Sequence, residues 1–294
     1  MAYGNPLGNP LGNPLGTVRQ IKSIQPTTID IRSGTGQIQI PAGYSFARVH
    51  AVAAGGGSPT VTLSRALGGS GGGGYAGTNI IALTGAPFSL DYSIGVGSLG
   101  NGGDTSASFL GKSLLATGGK ISTGDGVSTY PGGIGGTGVI GDVLTKGGNG
   151  GAGYRNSDGG GGGGGGAGGP LGDGGVGGSA PASYPPIAGS VSLSSAGGTS
   201  GYPSSTNWIA GSGSGVGSFK GGGGGLYSIP DNPSTPPANG YAFRWGGDGN
   251  ATGSMYTTSK GGDWGGGAGG SASGGGGPCT GNVGGNGGVR IELW

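Results

Sequence analysis

The stretch "GGGGPCTGNVGGNGGVRIELW" (274–294) joins a glycine tract to an alternating strand. Its last six residues alternate between two sets of side chains. Val289, Ile291 and Leu293 form an apolar set, and Arg290, Glu292 and Trp294 form a more polar one. A strand with one apolar face needs a sheet and a core to cover that face. Because the glycine tract offers no apolar surface, this strand is predicted to return to a β-domain elsewhere in the chain and close its sheet.

The composition is dominated by glycine. Of 294 residues, 88 are Gly and 18 are Pro, and only 31% are hydrophobic. Such a chain is either a flexible linker or a structure packed in a way that depends on glycine. Disordered chains are usually rich in charge, whereas this chain has 13 Lys plus Arg and 11 Asp plus Glu. We therefore expect a packed structure.

The same composition argues against several classes of function. A net charge of +2 does not provide the basic face of a nucleic-acid groove. No apolar run approaches the roughly 20 residues of a transmembrane helix, so no membrane insertion is expected. The start, "MAYGNPLGNP", lacks the basic and apolar regions of a signal peptide. A single cysteine, Cys279, cannot form an internal disulfide.

Residues 27–120 are predicted to form a small antiparallel β-domain, similar to a β-sandwich, that includes the C-terminal strand 288–294. "TIDIRS" alternates apolar and polar residues, and "GQIQIPAGYSFARVHAV" reads as a strand to Ile40, a turn, and a second strand from Phe46 to Val52. Helical periodicity is absent, so the fold class is all-β with essentially no α-helix. Three further segments are strand candidates: 75–83, 88–96 and 107–119.

Residues 121–287 are predicted to form a glycine-rich bundle with long loops. Several tracts repeat with a period of three, which is the period of a polyproline-II-type helix without internal hydrogen bonds: "GGIGGTG" (132–138), "GGNGGAG" (147–153) and "GGVGGSA" (174–180). Backbone groups of such a helix need partners in neighbouring segments. Glycine backbones can approach closely enough to supply them, so we expect polyglycine-II helices that bond side by side.

Residues 1–26 are predicted to be an attachment arm. Residues 4–16 repeat Asn-Pro-Leu-Gly three times, a sequence typical of type I turns. Such a segment cannot form a core of its own. We expect symmetry mates or a virion partner to hold it through Tyr3, Leu7, Leu11 and Leu15.

The order of these parts resembles the glycine-rich proteins of bacteriophage tails. The resemblance rests on "GQIQIPAGYSFARVHAVAAGGG", "GGSGGGGYAG", "YSIGVGSLGNGGDTSASFLGKSLLATGG" and the final "GGVRIELW", over roughly residues 27–294. Within that group, tail-fibre-tip adhesins with polyglycine-II bundles are the nearest functional analogue. The resemblance implies that the β-rich part attaches to a fibre and that loops between glycine helices touch a host receptor. The "GNPL" repeats lie outside this pattern.

Catalytic, cofactor and metal sites receive little support from the sequence. The single histidine, His50, lies within a predicted strand and is interpreted as a residue of a sheet face. "GSGSG" (211–215) matches a nucleophile elbow by letters, but no helix can follow it. "SASFLGKS" (106–113) has Ser106 in place of the first glycine of a phosphate loop. We expect neither an enzyme nor a cofactor, and no metal site.

The inserts between glycine tracts are the candidate receptor-binding loops. They combine tyrosine and tryptophan with small polar residues, which is the composition of adaptable recognition loops. The alternative is that these aromatic side chains merely cover the glycine bundle. The candidate residues are Tyr202, Trp208, Tyr227, Tyr241, Trp245, Tyr256 and Trp264.

The sequence thus predicts a virion protein, assembled in the host cytoplasm and exposed on the particle. Its expected role is that of a tail-fibre or tail-tip component that binds a bacterial surface glycan or outer-membrane receptor. The alternative is a capsid decoration or head-fibre protein with a purely structural role. A homo-oligomer is expected, with a trimer as one candidate, attached to other virion proteins through the arm.

Overall fold

The structure is a computed structural model of the chain. It describes residues 27–60, 67–122, 129–154, 161–179, 261–262, 264–270, 281 and 283–294, and four two-residue strands between residues 195 and 220.

The described part of the chain is all-β, without an α-helix. Its strands are β1 (Thr27–Ile31), β2 (Thr35–Ile40), β3 (Phe46–Val52), β4 (Tyr75–Gly77), β5 (Ile81–Ala82), β6 (Phe88–Ser93), β7 (Thr105–Phe109), β8 (Lys112–Ala116), β9 (Thr129–Tyr130), β10 (Gly138–Ile140), β11 (Val143–Thr145), β12 (Gly153–Tyr154), β13 (Ser195–Ala196), β14 (Tyr202–Pro203), β15 (Trp208–Ile209), β16 (Phe219–Lys220) and β17 (Gly288–Leu293).

Two antiparallel sheets form a β-sandwich-like unit, as the sequence predicts. One sheet has the order β1-β17-β3-β4-β11, with β5 beside β3, and the other has the order β10-β8-β7-β6-β2. The inner faces meet in one apolar core, built from alternate residues of each strand. The first sheet contributes Val49, Ile291 and Leu293, and the second contributes Leu90 and Leu114.

The C-terminal strand β17 lies inside the first sheet, between β1 and β3. Val289, Ile291 and Leu293 are buried in the core, so the predicted direction of these side chains is confirmed. On the opposite face, Arg290 donates from Nε and Nη2 to the two carboxylate oxygens of Asp30, at 2.6 and 2.8 Å. This two-bond ion pair joins the two ends of the described chain. It supports the register of β1 and β17, in which Asp30 and Arg290 are directly opposite each other.

The strand boundaries follow the predicted pattern with three differences. The predicted strand 75–83 is two short strands, β4 and β5. The segment 107–119 is a hairpin: Phe109 pairs with Lys112 across a two-residue turn, Leu110–Gly111. A pair of consecutive strands, β10 and β11, lies in the range predicted to form the glycine bundle, yet β10 is an edge strand of the second sheet and β11 an edge strand of the first. Its six strand residues, "GVI" and "VLT", are too few to show a period against flanking glycine.

Glycine segments continue directly from the sandwich strands and form a separate layer. The central segment, residues 69–74, leads into β4, and the segments that follow β3, β8 and β11 and precede β10 surround it. The N–H groups of the central segment point in three directions in turn, and each direction repeats after three residues. At N···O distances of 2.7–3.0 Å, the acceptors of residues 69 to 74 in order are Gly151, Ala268, Lys120, Gly148, Gly265 and Thr117.

The carbonyl groups of the central segment bond in the same threefold manner. Their donors, at 2.8–3.0 Å, are Gly133, Gly165, Gly56, Gly136, Gly168 and Ala53 in order of residues 69 to 74. Every backbone donor and acceptor of the central segment therefore has a backbone partner, as buried polar groups require. The segment is enclosed by six others, 53–56, 117–120, 133–136, 148–151, 165–168 and 265–268.

These positions require glycine because the backbones approach one another closely. A Cβ built on Gly72 would overlap the carbonyl of Gly166, and one built on Gly69 would overlap the carbonyl of Gly163. The segments are thus packed backbone against backbone, without room for a methyl group between them.

Asparagine side chains complete the hydrogen bonds at the edge of the bundle. Where an outer segment has no further neighbour, a side-chain Oδ1 accepts the backbone N–H. Asn101 accepts from Ile121 at 3.0 Å, Asn149 from Gly135 at 2.9 Å and Asn286 from Gly97 at 2.8 Å. All three asparagines lie in a Gly-Asn-Gly-Gly sequence and are exposed. This shared motif is a signal that the sequence analysis missed.

We expect Gly72→Ala to destabilise the protein by about 3 kcal/mol or more, because an enclosed backbone must move to admit the methyl group. Gly100→Ala is the matched control, since a Cβ there meets no atom closer than the Ser98 hydroxyl at 3.7 Å. Urea unfolding of both variants measures the effect. Equal stability of the two variants would show that the packing around the central segment is looser than described.

We expect Asn149→Ala to lower the free energy of unfolding by about 1 kcal/mol, because the Gly135 N–H loses its acceptor. Asn149→Asp keeps an acceptor oxygen and should cost less than Asn149→Ala at pH 7. Amide hydrogen exchange at Gly135 provides the local measurement. Faster exchange in the alanine variant but not in the aspartate variant is the expected result.

Candidate functional surfaces

The end of the glycine bundle remote from the sandwich is the first candidate surface. Leu67, Tyr130, Tyr154 and Gly270 each border a segment outside the described residues, and they lie at the level of the bundle farthest from β4. Ser179, which precedes the longest such segment, lies at the same level because its hydroxyl accepts the N–H of Ala152. The inserts that follow Tyr154 and Ser179 therefore leave the bundle at this end, whereas the longest of them returns at Gly261, next to Gly266 and nearer the sandwich.

Two of the predicted receptor-binding residues are brought together. Tyr202 in β14 is opposite Ile209 in β15, and Trp208 is opposite Pro203, so both aromatic residues belong to one small antiparallel pair of strands. The remaining candidates in these inserts lie outside the described residues: Tyr227, Tyr241, Trp245 and Tyr256.

Trp264 is a correction to the predicted set. Its side chain is 4% exposed and packs with Val52 and Tyr75 on the outer face of the first sheet. The guanidinium carbons of Arg32 and Arg290 lie 5.2 and 5.5 Å from its ring centroid, within cation–π range. Trp264 adopts a positive φ of 61°, which is uncommon for a bulky residue. It covers the outer face of the first sheet, whereas the alternative interpretation has these aromatic residues cover the glycine bundle, and its burial keeps the ring from contact with a receptor.

A buried polar cluster lies on the same outer sheet face. His50 Nδ1 is 2.6 Å from the Tyr75 hydroxyl, and His50 Nε2 is 3.4 Å from Glu292 Oε2. In the tautomer with the proton on Nε2, the ring accepts from Tyr75 and directs its N–H toward the carboxylate. The residues come from β3, β4 and β17, so this cluster joins three neighbouring strands.

Burial governs the protonation of the cluster. Loss of solvation lowers the pKa of His50 despite the nearby Glu292 carboxylate, and it raises the pKa of the Tyr75 hydroxyl. The interaction with His50 in turn lowers the pKa of Glu292. The cluster resembles a proton-relay set by residue type, yet His50 and Tyr75 are 1% and 0% exposed. A substrate has no access to them, so we interpret the cluster as a structural one.

The end of the sandwich remote from the bundle is the second candidate surface. Thr27, the first described residue, pairs with Leu293 at this end. The arm residues Tyr3, Leu7, Leu11 and Leu15 precede it and lie outside the described residues. Leu110, in the turn between β7 and β8, is exposed at this end. Val139, Ile140 and Leu144 are also exposed, but they lie near the bundle, because Leu144 pairs with Ala76 and Ile140 with Leu115. Thr27 therefore lies at the end of the sandwich opposite to the bundle.

Within the described ranges, no cluster of three or more His, Cys, Asp or Glu side chains could hold a metal ion. The described part likewise contains no helix long and apolar enough to cross a bilayer.

No protein-family model matches the chain, and no curated protein is similar to it at a significant level.

We expect the stability of the protein to fall as the pH drops from 7 to 5. The unfolded chain has an ordinary histidine pKa near 6.5, whereas burial lowers the pKa of His50 in the folded state. Protons therefore favour unfolding below about pH 6.5. Urea unfolding at several pH values should show a smaller decrease for His50→Gln than for the unmodified protein. Identical slopes would show that His50 does not carry the pH dependence.

Proposed function

We propose that this protein is a bacteriophage virion component of the tail fibre or tail tip that binds the bacterial surface through the inserts of its glycine bundle. The observation that supports this proposal most is the division of the molecule into two ends. The inserts leave one end of the bundle, and the N-terminal arm leaves the opposite end of the sandwich. A protein that links a particle to a surface needs its two contact regions to be separated in this way.

The bundle suits the task of holding recognition loops. We propose that its segments adopt the polyglycine-II conformation, for which the threefold alternation of hydrogen bonds is the supporting observation. Each segment is held by backbone bonds in several directions, so the scaffold does not depend on side chains. The inserts can then change in sequence without changing a core on which the fold depends.

The paired strands β14 and β15 support aromatic recognition. They place Tyr202 and Trp208 in one local unit within the longest insert. Aromatic faces next to small polar residues suit the rings and hydroxyls of a surface glycan. Several copies on one particle would convert weak single contacts into stable attachment through avidity.

The test is the binding of the purified, labelled protein to susceptible and resistant bacterial cells. We expect saturable binding to susceptible cells only. Replacement of residues 181–260 by a glycine-serine linker should abolish binding, because the aromatic inserts are lost. Trp264 is kept in this variant, since its burial makes it part of the fold.

A matched control uses the outer face of the second sheet. Gln37 and Gln39 are exposed there and bond to Asp91 and Ser89. The double change Gln37→Ala and Gln39→Ala should leave cell binding unchanged. Two results together would favour the decoration role instead. The folded, unmodified protein would bind neither cell type, and deletion of residues 4–16 from the protein would remove it from the particles.

A further inference from the structure

The glycine segments of the bundle differ in how regularly a side chain interrupts them. Residues 161–169 are glycine except for Ala167, and all of them are buried. In the outer segments 146–152 and 173–179, every third residue carries a side chain. These third residues are exposed or half-buried, whereas most of the glycines between them are buried. The period of three therefore marks segments at the perimeter of the bundle, where one of the three directions faces solvent.

Asn149 shows the direction that such a side chain takes. A Cβ on Gly147 would overlap a carbonyl of the central segment, and a Cβ on Gly148 would overlap a carbonyl of the segment 174–178. Asn149 has the remaining direction. Its side chain is exposed, and its Oδ1 accepts the N–H of Gly135 at 2.9 Å. The asparagine therefore reaches from the outside across the groove between two neighbouring segments.

Ile134 has the equivalent position in the neighbouring segment. A Cβ on Gly133 would overlap the carbonyl of Lys120, and a Cβ on Gly135 would overlap the carbonyl of Gly147. Ile134 is left with the direction away from both neighbours, and it is 67% exposed. A large apolar side chain therefore stands on the outer side of this segment, next in sequence to the glycine that bonds the asparagine.

A groove between two glycine segments can hold a third segment. The segment 174–178 lies beside both 146–149 and 163–166. Two of its N–H groups donate to the first at 2.7 and 2.8 Å, and two of its carbonyls accept from the second at 2.9 and 2.8 Å. No segment of the described residues occupies the next groove, between 133–136 and 147–150. In that groove the asparagine provides the acceptor that a backbone carbonyl provides elsewhere.

An open edge of this bundle would resemble the open edge of a β-sheet. Its backbone groups would repeat every three residues, or about 9 Å, and would suit any segment with the same repeat. A second copy of this chain, with 88 glycines, supplies such segments. Sheet edges of this kind associate with one another unless side chains obstruct them.

We propose that Ile134 and Asn149 keep the groove between their segments closed to a glycine-rich segment of a second copy. The isoleucine side chain prevents the close approach that glycine backbones need. The asparagine amide occupies the N–H group that would bond the incoming segment. This inference concerns self-association and does not depend on the proposed cell-binding function.

Sedimentation velocity over a wide range of protein concentration tests the proposal. In the double variant Ile134→Gly and Asn149→Gly, we expect the mean sedimentation coefficient to rise with concentration beyond that of the unmodified protein, because the opened groove admits a second copy. The matched control combines Ile134→Thr with Asn149→Asp, which keeps a side chain at both positions and an acceptor oxygen at the second. It should sediment like the unmodified protein.

Hydrogen exchange at Gly135 distinguishes association in this groove from aggregation elsewhere. In the dilute double variant the Gly135 N–H has lost its acceptor, so it should exchange severalfold faster than in the unmodified protein. At high concentration its exchange should slow again, because a carbonyl of the second copy accepts the N–H. Asn149→Gly alone serves as the second test if the double variant does not fold, with weaker association and the same protection of Gly135.

Three results would overturn the proposal. A folded variant that sediments like the unmodified protein at every concentration would show that the groove does not attract a second copy. Equal association of the double variant and the control would show that these side chains are not the barrier. Association without slower exchange at Gly135 would place the contact on another surface. Each of these results leaves the cell-binding test unaffected.

Discussion

The hydrogen bond between two glycine backbones, at a separation that excludes any Cβ, is the interaction on which this structure depends. In the central segment, every N–H and C=O group bonds to another backbone, and the partners belong to six different segments. Ordinary cores gain stability from apolar area removed from water. Here the backbone itself is buried, and its polar groups are satisfied by bonds that point outward in three directions. The need for glycine at these positions follows from the distance between backbones.

This arrangement creates a need for a second, conventional unit. A bundle held by repeating backbone bonds contains few features that distinguish one register from the next. The sandwich supplies them, because a one-residue slip of a strand would turn its apolar side chains away from the core. Glycine segments follow β3, β8 and β11 and precede β4, β10 and β17, so the strand registers also align the segments. The Asp30–Arg290 ion pair and the His50 cluster lie in the same sheet and together join four of its strands, β1, β17, β3 and β4.

The bundle is held by bonds between main chains, which require glycine where the backbones approach closely but no particular side chain elsewhere. The outer side chains of the bundle carry few requirements beyond the asparagine acceptors at its edge. Such a scaffold allows its loops to vary widely, which is consistent with the role proposed for them.

Short-range pattern was sufficient to predict much of this protein. The alternation of Val289, Ile291 and Leu293 predicted the direction of these side chains in the last strand, and the run 36–52 predicted a strand that ends at Ile40 and a second strand from Phe46 to Val52. The absence of helical periodicity predicted the all-β class. In each case the prediction rests on residues that are close together in the sequence, because side-chain direction repeats with a short period along a strand or a helix.

The tertiary structure decided the features that depend on which segments are neighbours. The stretch 69–74, glycine except for Ser70, looks like the other glycine tracts in sequence, and its central position follows from six partner segments, most of them distant in sequence. Trp264 lies in a stretch whose composition is that of a loop. Its ring is nevertheless covered by Arg32 and Arg290, which come from opposite ends of the described chain. Strands β10 and β11 are too short to show a period. The sheet that each of them joins therefore depends on the strand it pairs with, β8 for β10 and β4 for β11. Neighbours of this kind are set by long-range packing, which a local pattern does not contain.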